Sequence, residues 1–190
     1  MAKTTYNFGF NLKQRHYFLQ NELKEFTPKY SNPPIYIKNI SEIQQLLYQF
    51  DNDKITKLEA INAYMILGSL VESLIDVYFI YSKTEDELKK LFERNNRLNI
   101  PLIGLEKKIN IFNEVFEGKL TPKIKNILDK IREKRNYIHF LNRDFDNWTV
   151  DDVSEELNLN PYYSELCLDV MAYDLLFGEI INEISNNQTS

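Results

Sequence analysis

The segment "REKRNYIH" places two guanidinium groups, a carboxamide and an imidazole within eight residues of one helix-forming run. Counted from Arg132, Arg135 and Asn136 fall three and four residues on and His139 falls seven on. At 3.6 residues per turn these four stack along one stripe. An Arg fork can hold a phosphate bidentately and stabilise the charge that builds on its non-bridging oxygens. An imidazole, with an unperturbed pKa near ~6.5, can transfer a proton near neutral pH. Those are the groups that phosphodiester cleavage without a metal requires, and RNA brings its own nucleophile in the 2′-hydroxyl.

Charge points the same way. From Pro122 to Arg143, Lys123, Lys125, Lys130, Arg132, Lys134, Arg135 and Arg143 stand against Asp129 and Glu133, while the whole chain carries a formal charge of -5. The local surplus is about +5. An anionic ligand is therefore expected at this helix, with Lys130, Lys134 and Arg143 adding phosphate contacts and Tyr137 available to stack on a base. The plainer reading of the same residues is a charged helix face carrying a semi-buried His. Against it, the apolar stripe through Ile131 and Ile138 runs beside the polar set, which puts that set at the edge of a core. The other histidine, His16, reads as a surface or packing residue. No HExxH, Cys/His ligand set, GxxxxGK loop or GxSxG elbow is present in the sequence, so no metal or cofactor is expected.

The elements that must position this stripe are helices. The chain has 190 residues, 43% of them hydrophobic, with 5 Gly and 6 Pro; that suits one all-α domain with a single core. Residues 11–26 read as a peripheral helix, followed by an extended proline-containing linker to residue 40. "SEIQQLLYQF" reads as a short helix opened by Ser41, with Ile43, Leu46, Leu47 and Phe50 on one face. The proline-free run from Ile55 to Ser82 is expected to be the central helix of a bundle. A short charged helix, one built on Leu102, Leu105, Ile109, Phe112, Val115 and Phe116, and the motif helix follow. The motif helix is capped by Thr121, begins at Pro122 and runs to about residue 142. After a polar connection, Pro161 opens a last helix to about Ile184, and residues 186–190 are expected to be a disordered tail. The 12 Tyr and 12 Phe are expected mainly in core and interface packing. Cys167 lies in an apolar run and reads as core filling. With no apolar signal core and no membrane span expected, the protein reads as cytoplasmic.

"IREKRNYIHF" resembles the signature of the HEPN superfamily, the "higher eukaryotes and prokaryotes nucleotide-binding" domain: an Arg, four to six residues, and a His on a late helix. Arg132 to His139 encloses six, and "RNYIH" from Arg135 matches the Arg-Asn-x-x-His form. "AYMILGSLVESLIDVYF" is similar to the family's early helix with a Glu in its middle. The resemblance covers roughly residues 42–185. It implies an up-and-down four-helix bundle over residues 41–185, with an added N-terminal helix and linker, and a homodimer that faces two motifs across a shared cleft. It further implies metal-independent endoribonuclease activity in toxin–antitoxin pairs, phage defence or RNA processing, beside an antitoxin or nucleotidyltransferase partner protein. In this sequence Arg132 or Arg135 matches the motif Arg, Asn136 the polar residue after it, His139 the motif His, and Glu72 the acidic residue that orients the Arg. Phe140 stands where many relatives have Gly or Pro. A non-catalytic helical module that binds nucleotide, RNA or a protein through the same cleft is the alternative.

Overall fold

The computed structural model describes residues 26–30, 36–94, 99–100, 103–116, 120–139 and 160–188. These residues form six α-helices and no strand: α1 (Tyr36–Leu47, continued by a 3-10 turn at Tyr48–Phe50), α2 (Lys57–Ser82), α3 (Glu85–Leu91), α4 (Leu105–Val115), α5 (Pro122–His139) and α6 (Pro161–Gln188). The peripheral helix expected over 11–26, Arg143 and the connection after α5 lie outside the described residues, Phe26 excepted.

Helix α2 is the axis of the molecule. Thr56 and Glu59 close a capping box at its start, each bonding the other's backbone N–H, which satisfies two of the four orphan donors of the first turn. Beyond that turn α2 is buried almost all round, covered by α1, α4, α5 and α6. Among the described residues it is the one helix long and apolar enough to cross a membrane, and 78% of that apolar window is buried inside the protein.

Side-chain pairs fix the helix directions. Asn160 Nδ2 donates to Ile55 O at 3.0 Å and, further along, Tyr64 donates to Asp169, so α6 runs with α2. Lys130 meets Asp169 and Lys134 meets Glu165, so α5 runs against α6. Gln44 donates to Tyr173 (2.7 Å) and Tyr163 to Asp51 (2.7 Å), so α1 also runs against α6. Helix α4 is held on the C-terminal half of α2 by an aromatic cluster. Tyr78 stands edge-on to Phe112 and Phe116, with ring centroids 5.2 and 5.3 Å away. Such contacts add about 0.5–1.5 kcal/mol each beyond area burial, and they set the height at which α4 presents Lys108 to α2.

Two ends differ from expectation. Helix α1 begins at Tyr36, so it crosses residue 40 and Ser41 is interior rather than a cap. The buried side is Ile40, Gln44 and Leu47, whereas Leu46 is exposed; this stripe starts before Ser41 and carries the helix back with it. Helix α6 continues through Gln188, past the expected end near Ile184 and into the expected tail. Ile184 is fully buried and Ser185 Oγ donates to Ile181 O at 2.9 Å, which anchor that last stretch.

Candidate functional site on helix α5

Helix α5 starts as its sequence dictates: Thr121 Oγ1 accepts from Ile124 N at 3.3 Å, and Pro122 takes the first helical position, where no N–H is needed. Ile124, Leu128 and Ile131 are buried against the core. The polar residues leave this apolar stripe on two sides, and the two sides do different things.

On the side toward α2 and α4, Arg135 Nη2 sits 2.8 Å from Glu72 Oε2. The other oxygen of Glu72 takes Lys108 Nζ at 2.9 Å, and the same ammonium takes Asp76 Oδ2 at 2.8 Å. Lys108 is fully buried, while Glu72 and Arg135 keep 18% and 22% of their side-chain surface open. The result is a chain of alternating charge, Arg135–Glu72–Lys108–Asp76, neutral overall and open to solvent at its guanidinium end. Arg132 lies one turn back with Nη1 3.5 Å from Glu106 and Nη2 3.7 Å from Asp129. Both distances are long for charge-assisted bonds, and Arg132 Nε is buried with no hydrogen-bond partner among the described residues. Asn136 is half-buried beside them. His139 is the last residue of α5 and Tyr137 lies two before it; their side chains lie outside the described residues.

Glycine at position 68 makes the Arg135 placement possible. A methyl there would stand 2.6 Å from Arg135 Cδ and 3.0 Å from its Cβ, so the Arg stem crosses α2 where α2 has no side chain, and its head reaches Glu72 one turn on. Gly68→Ala is expected to lower stability by roughly 1 kcal/mol. Overpacking of about 1–3 kcal/mol outweighs the helix-propensity gain of about 1 kcal/mol. Urea denaturation checks it, and a stabilised variant would contradict the close contact.

On the other side, Lys130 and Lys134 turn inward to α6. Lys130 Nζ lies 2.7 Å from Glu165 Oε1, Lys134 bonds the second oxygen of Glu165, and Lys134 Nζ sits 4.6 Å from the centre of the Tyr64 ring. Glu165, Asp169 and Lys134 are buried. Burial pulls the Lys134 ammonium below its ordinary range, against the Glu165 carboxylate, which pulls it back. The two lysines are therefore committed to internal pairs rather than presented to a phosphate, and the local surplus of charge is offset by acids from α2, α4 and α6.

Asp169 is pushed up from 3.8 to about 6, chiefly by burial and against the pull of Lys130 and the Tyr64 hydroxyl. Its folded-state value lies above that of the unfolded chain, so protonation favours folding. This contribution is complete below about pH 4 and is lost as pH rises through about 6, a swing on the order of 2–3 kcal/mol. Denaturant midpoints of the wild type should thus fall between pH 4 and 7 relative to Asp169→Asn. Parallel pH profiles of the two proteins would refute the assignment.

Cys167 is buried, its thiol pushed up to about 12 by burial, and serves as core filling. No group of three or more His, Cys, Asp or Glu arranged to hold a metal occurs among the described residues.

The polar groups that sequence reasoning passed over are Lys108, Glu165, Asp169 and Gln44. Lys108 was detectable: it falls between Leu105 and Phe112, at i+3 and i−4, inside the apolar stripe of α4. Glu165 and Asp169, four residues apart within "ELCLDVMAYDLLF", carried the same signal, because charges inside an apolar stripe require buried partners.

The described residues thus define an all-helical protein whose motif helix joins a half-open arginine–glutamate pair on one side to a closed lysine–carboxylate cluster on the other. No protein family, curated protein or solved structure matches this chain.

Proposed function

We propose that the chain is an RNA-directed protein of HEPN type, a metal-independent endoribonuclease whose site is the Arg132–Arg135–Asn136–His139 stripe of α5. The observation that carries this reading is the Arg135–Glu72 pair at 2.8 Å. A motif arginine paired through Nη2 with a carboxylate keeps other donors of its five for a phosphate. The half-open position of the pair, Arg132 one turn away and the helix register that puts His139 seven residues beyond Arg132 support the same reading. Helices α1, α2, α5 and α6 alternate in direction, and this supports the four-helix up-and-down bundle, with α4 inserted between α2 and α5. A cytoplasmic homodimer that shares the cleft completes the proposal, because each chain brings one motif His while cleavage needs both a general acid and a general base. Toxin–antitoxin or phage-defence effectors are the biological setting that fits such an activity, with an antitoxin or nucleotidyltransferase as partner protein.

The alternative, a non-catalytic helical module that binds RNA, nucleotide or protein, is favoured by one observation. Lys130, Arg132, Lys134 and Arg135 each already have carboxylates within 4 Å, so the helix offers less free positive charge than its sequence suggests. Arg135→Ala tests the shared part of both readings. It should weaken binding of single-stranded RNA and make the remaining binding less steeply salt-dependent by about one counterion. Unchanged affinity and slope would remove Arg135 from the site.

A further inference from the structure

Glu72 gives one oxygen to each of two cations. Oε2 goes to Arg135 Nη2 at 2.8 Å and Oε1 to Lys108 Nζ at 2.9 Å, and Lys108 is also bound by Asp76 at 2.8 Å. Glu72 and Asp76 are one helical turn apart on α2, and the buried ammonium between them offsets the repulsion of two acidic side chains at that spacing. Lys108 comes from α4, an element with no part in the motif. A carboxylate facing an arginine with both oxygens free takes the guanidinium bidentately, the same fork that a phosphate would use. Lys108 takes one of the two lone pairs of Oε1 and turns that oxygen toward α4, which makes it the poorer acceptor for Arg135, whose contact falls on Oε2.

We infer that Lys108 is a positioning residue that acts through Glu72: by holding Oε1, it limits the Glu72–Arg135 contact to one oxygen and leaves the rest of the guanidinium for a phosphate of the ligand. The inference rests on the reading of Arg135 as a phosphate-binding residue. Glu72 without Lys108 is a competitor that occupies the phosphate's place; with Lys108 it is an anchor behind the arginine. The balance is local and electrostatic: the four groups sum to zero charge, and Glu72 is the group that touches both Lys108 and Arg135.

Lys108→Met alone strands a buried Asp76, and the protein then risks failing to fold. The informative variant is therefore Lys108→Met/Asp76→Asn, which removes the buried cation and its own counter-charge together. Binding of a fluorescein-labelled single-stranded RNA oligonucleotide would be followed by anisotropy in four proteins: wild type, Lys108→Met/Asp76→Asn, Glu72→Gln, and the combination of all three changes. The expected result is a double-mutant cycle with strong coupling. Lys108→Met/Asp76→Asn weakens RNA binding about tenfold where Glu72 is present, roughly the weight of one charge-assisted hydrogen bond, and leaves affinity unchanged where Glu72→Gln has already removed the competitor. A purely structural role for Lys108 would weaken binding equally in both backgrounds, and that result overturns the inference, as does no weakening in either.

A second readout on the same four proteins separates this inference from the functional reading. Exchange of the Arg135 guanidinium protons, followed by NMR without RNA, should slow in Lys108→Met/Asp76→Asn, because the pair to Glu72 becomes bidentate, and should not slow when Glu72→Gln is also present. RNA ignored by the wild type while exchange slows as described would end the RNA reading and leave Lys108's role standing. Exchange unaffected by the Lys108 change would refute that role whatever the RNA does.

Discussion

His139→Ala is expected to remove RNA cleavage, a loss of about 10²- to 10⁴-fold in rate, because that is the ordinary contribution of one general acid or base. His139 is one of 2 histidines in the chain and the one that shares the stripe of Arg132, Arg135 and Asn136. In the scheme it takes the proton from the 2′-hydroxyl in one copy of the site and gives one to the leaving 5′-oxygen in the other. In the same scheme Arg132 and Arg135 would hold the scissile phosphate, and Asn136 would orient one of these groups. Products should end in a 2′,3′-cyclic phosphate. The spacing along α5 puts position 139 at the edge of the apolar stripe rather than at its centre, so the variant should melt close to the wild type. Cleavage at the wild-type rate in a folded His139→Ala protein would exclude this mechanism.

Glu165→Ala is expected to produce the largest loss of stability, about 3–5 kcal/mol, which is the usual cost of stripping a buried charge of its partner. Glu165 is fully buried and receives both Lys130 and Lys134. Without it Lys134, already pulled below its ordinary range by burial, loses the carboxylate that keeps it charged in the interior. For a domain of ordinary stability, roughly 5–15 kcal/mol, this is a large fraction of the total. The double change Lys134→Met/Glu165→Leu should recover most of the loss, because an apolar pair of similar volume carries no desolvation penalty. Urea unfolding measures both, and a Glu165→Ala protein within 1 kcal/mol of wild type would mean that the pair is solvent-screened rather than buried.

These two variants separate what the sequence made legible from what it did not. Much of what positions the site is readable from local residues: the capping threonine at 121, Pro122 at a first helical position and the apolar spacing of α4 and α5 are local signals, whereas the run read from Ile55 becomes helical only at Lys57, behind a Thr56 cap. Glu72, which the family resemblance marks as the acid facing the motif Arg, lies 2.8 Å from Arg135. The direction in which the lysines point was not readable by counting charge along α5, because their partners lie 31 and 39 residues away on α6. Nothing within the "DKIREKRNY" window distinguishes a solvated lysine from one aimed at a distant carboxylate. The distinguishing signal lies on the partner, as acids spaced four apart inside an apolar run. Similarly, Gly68 is one glycine in a long helix until α5 packs on it; only then does the missing Cβ become the space for an arginine stem.

Incubating the purified protein with single-stranded RNA in excess EDTA and resolving the products decides whether it is a metal-independent ribonuclease. Cleavage should persist without divalent metal, disappear in His139→Ala and leave 2′,3′-cyclic phosphate ends. RNA that stays intact in EDTA and is cut only when Mg²⁺ is restored, or that is bound and never cut, would contradict this reading.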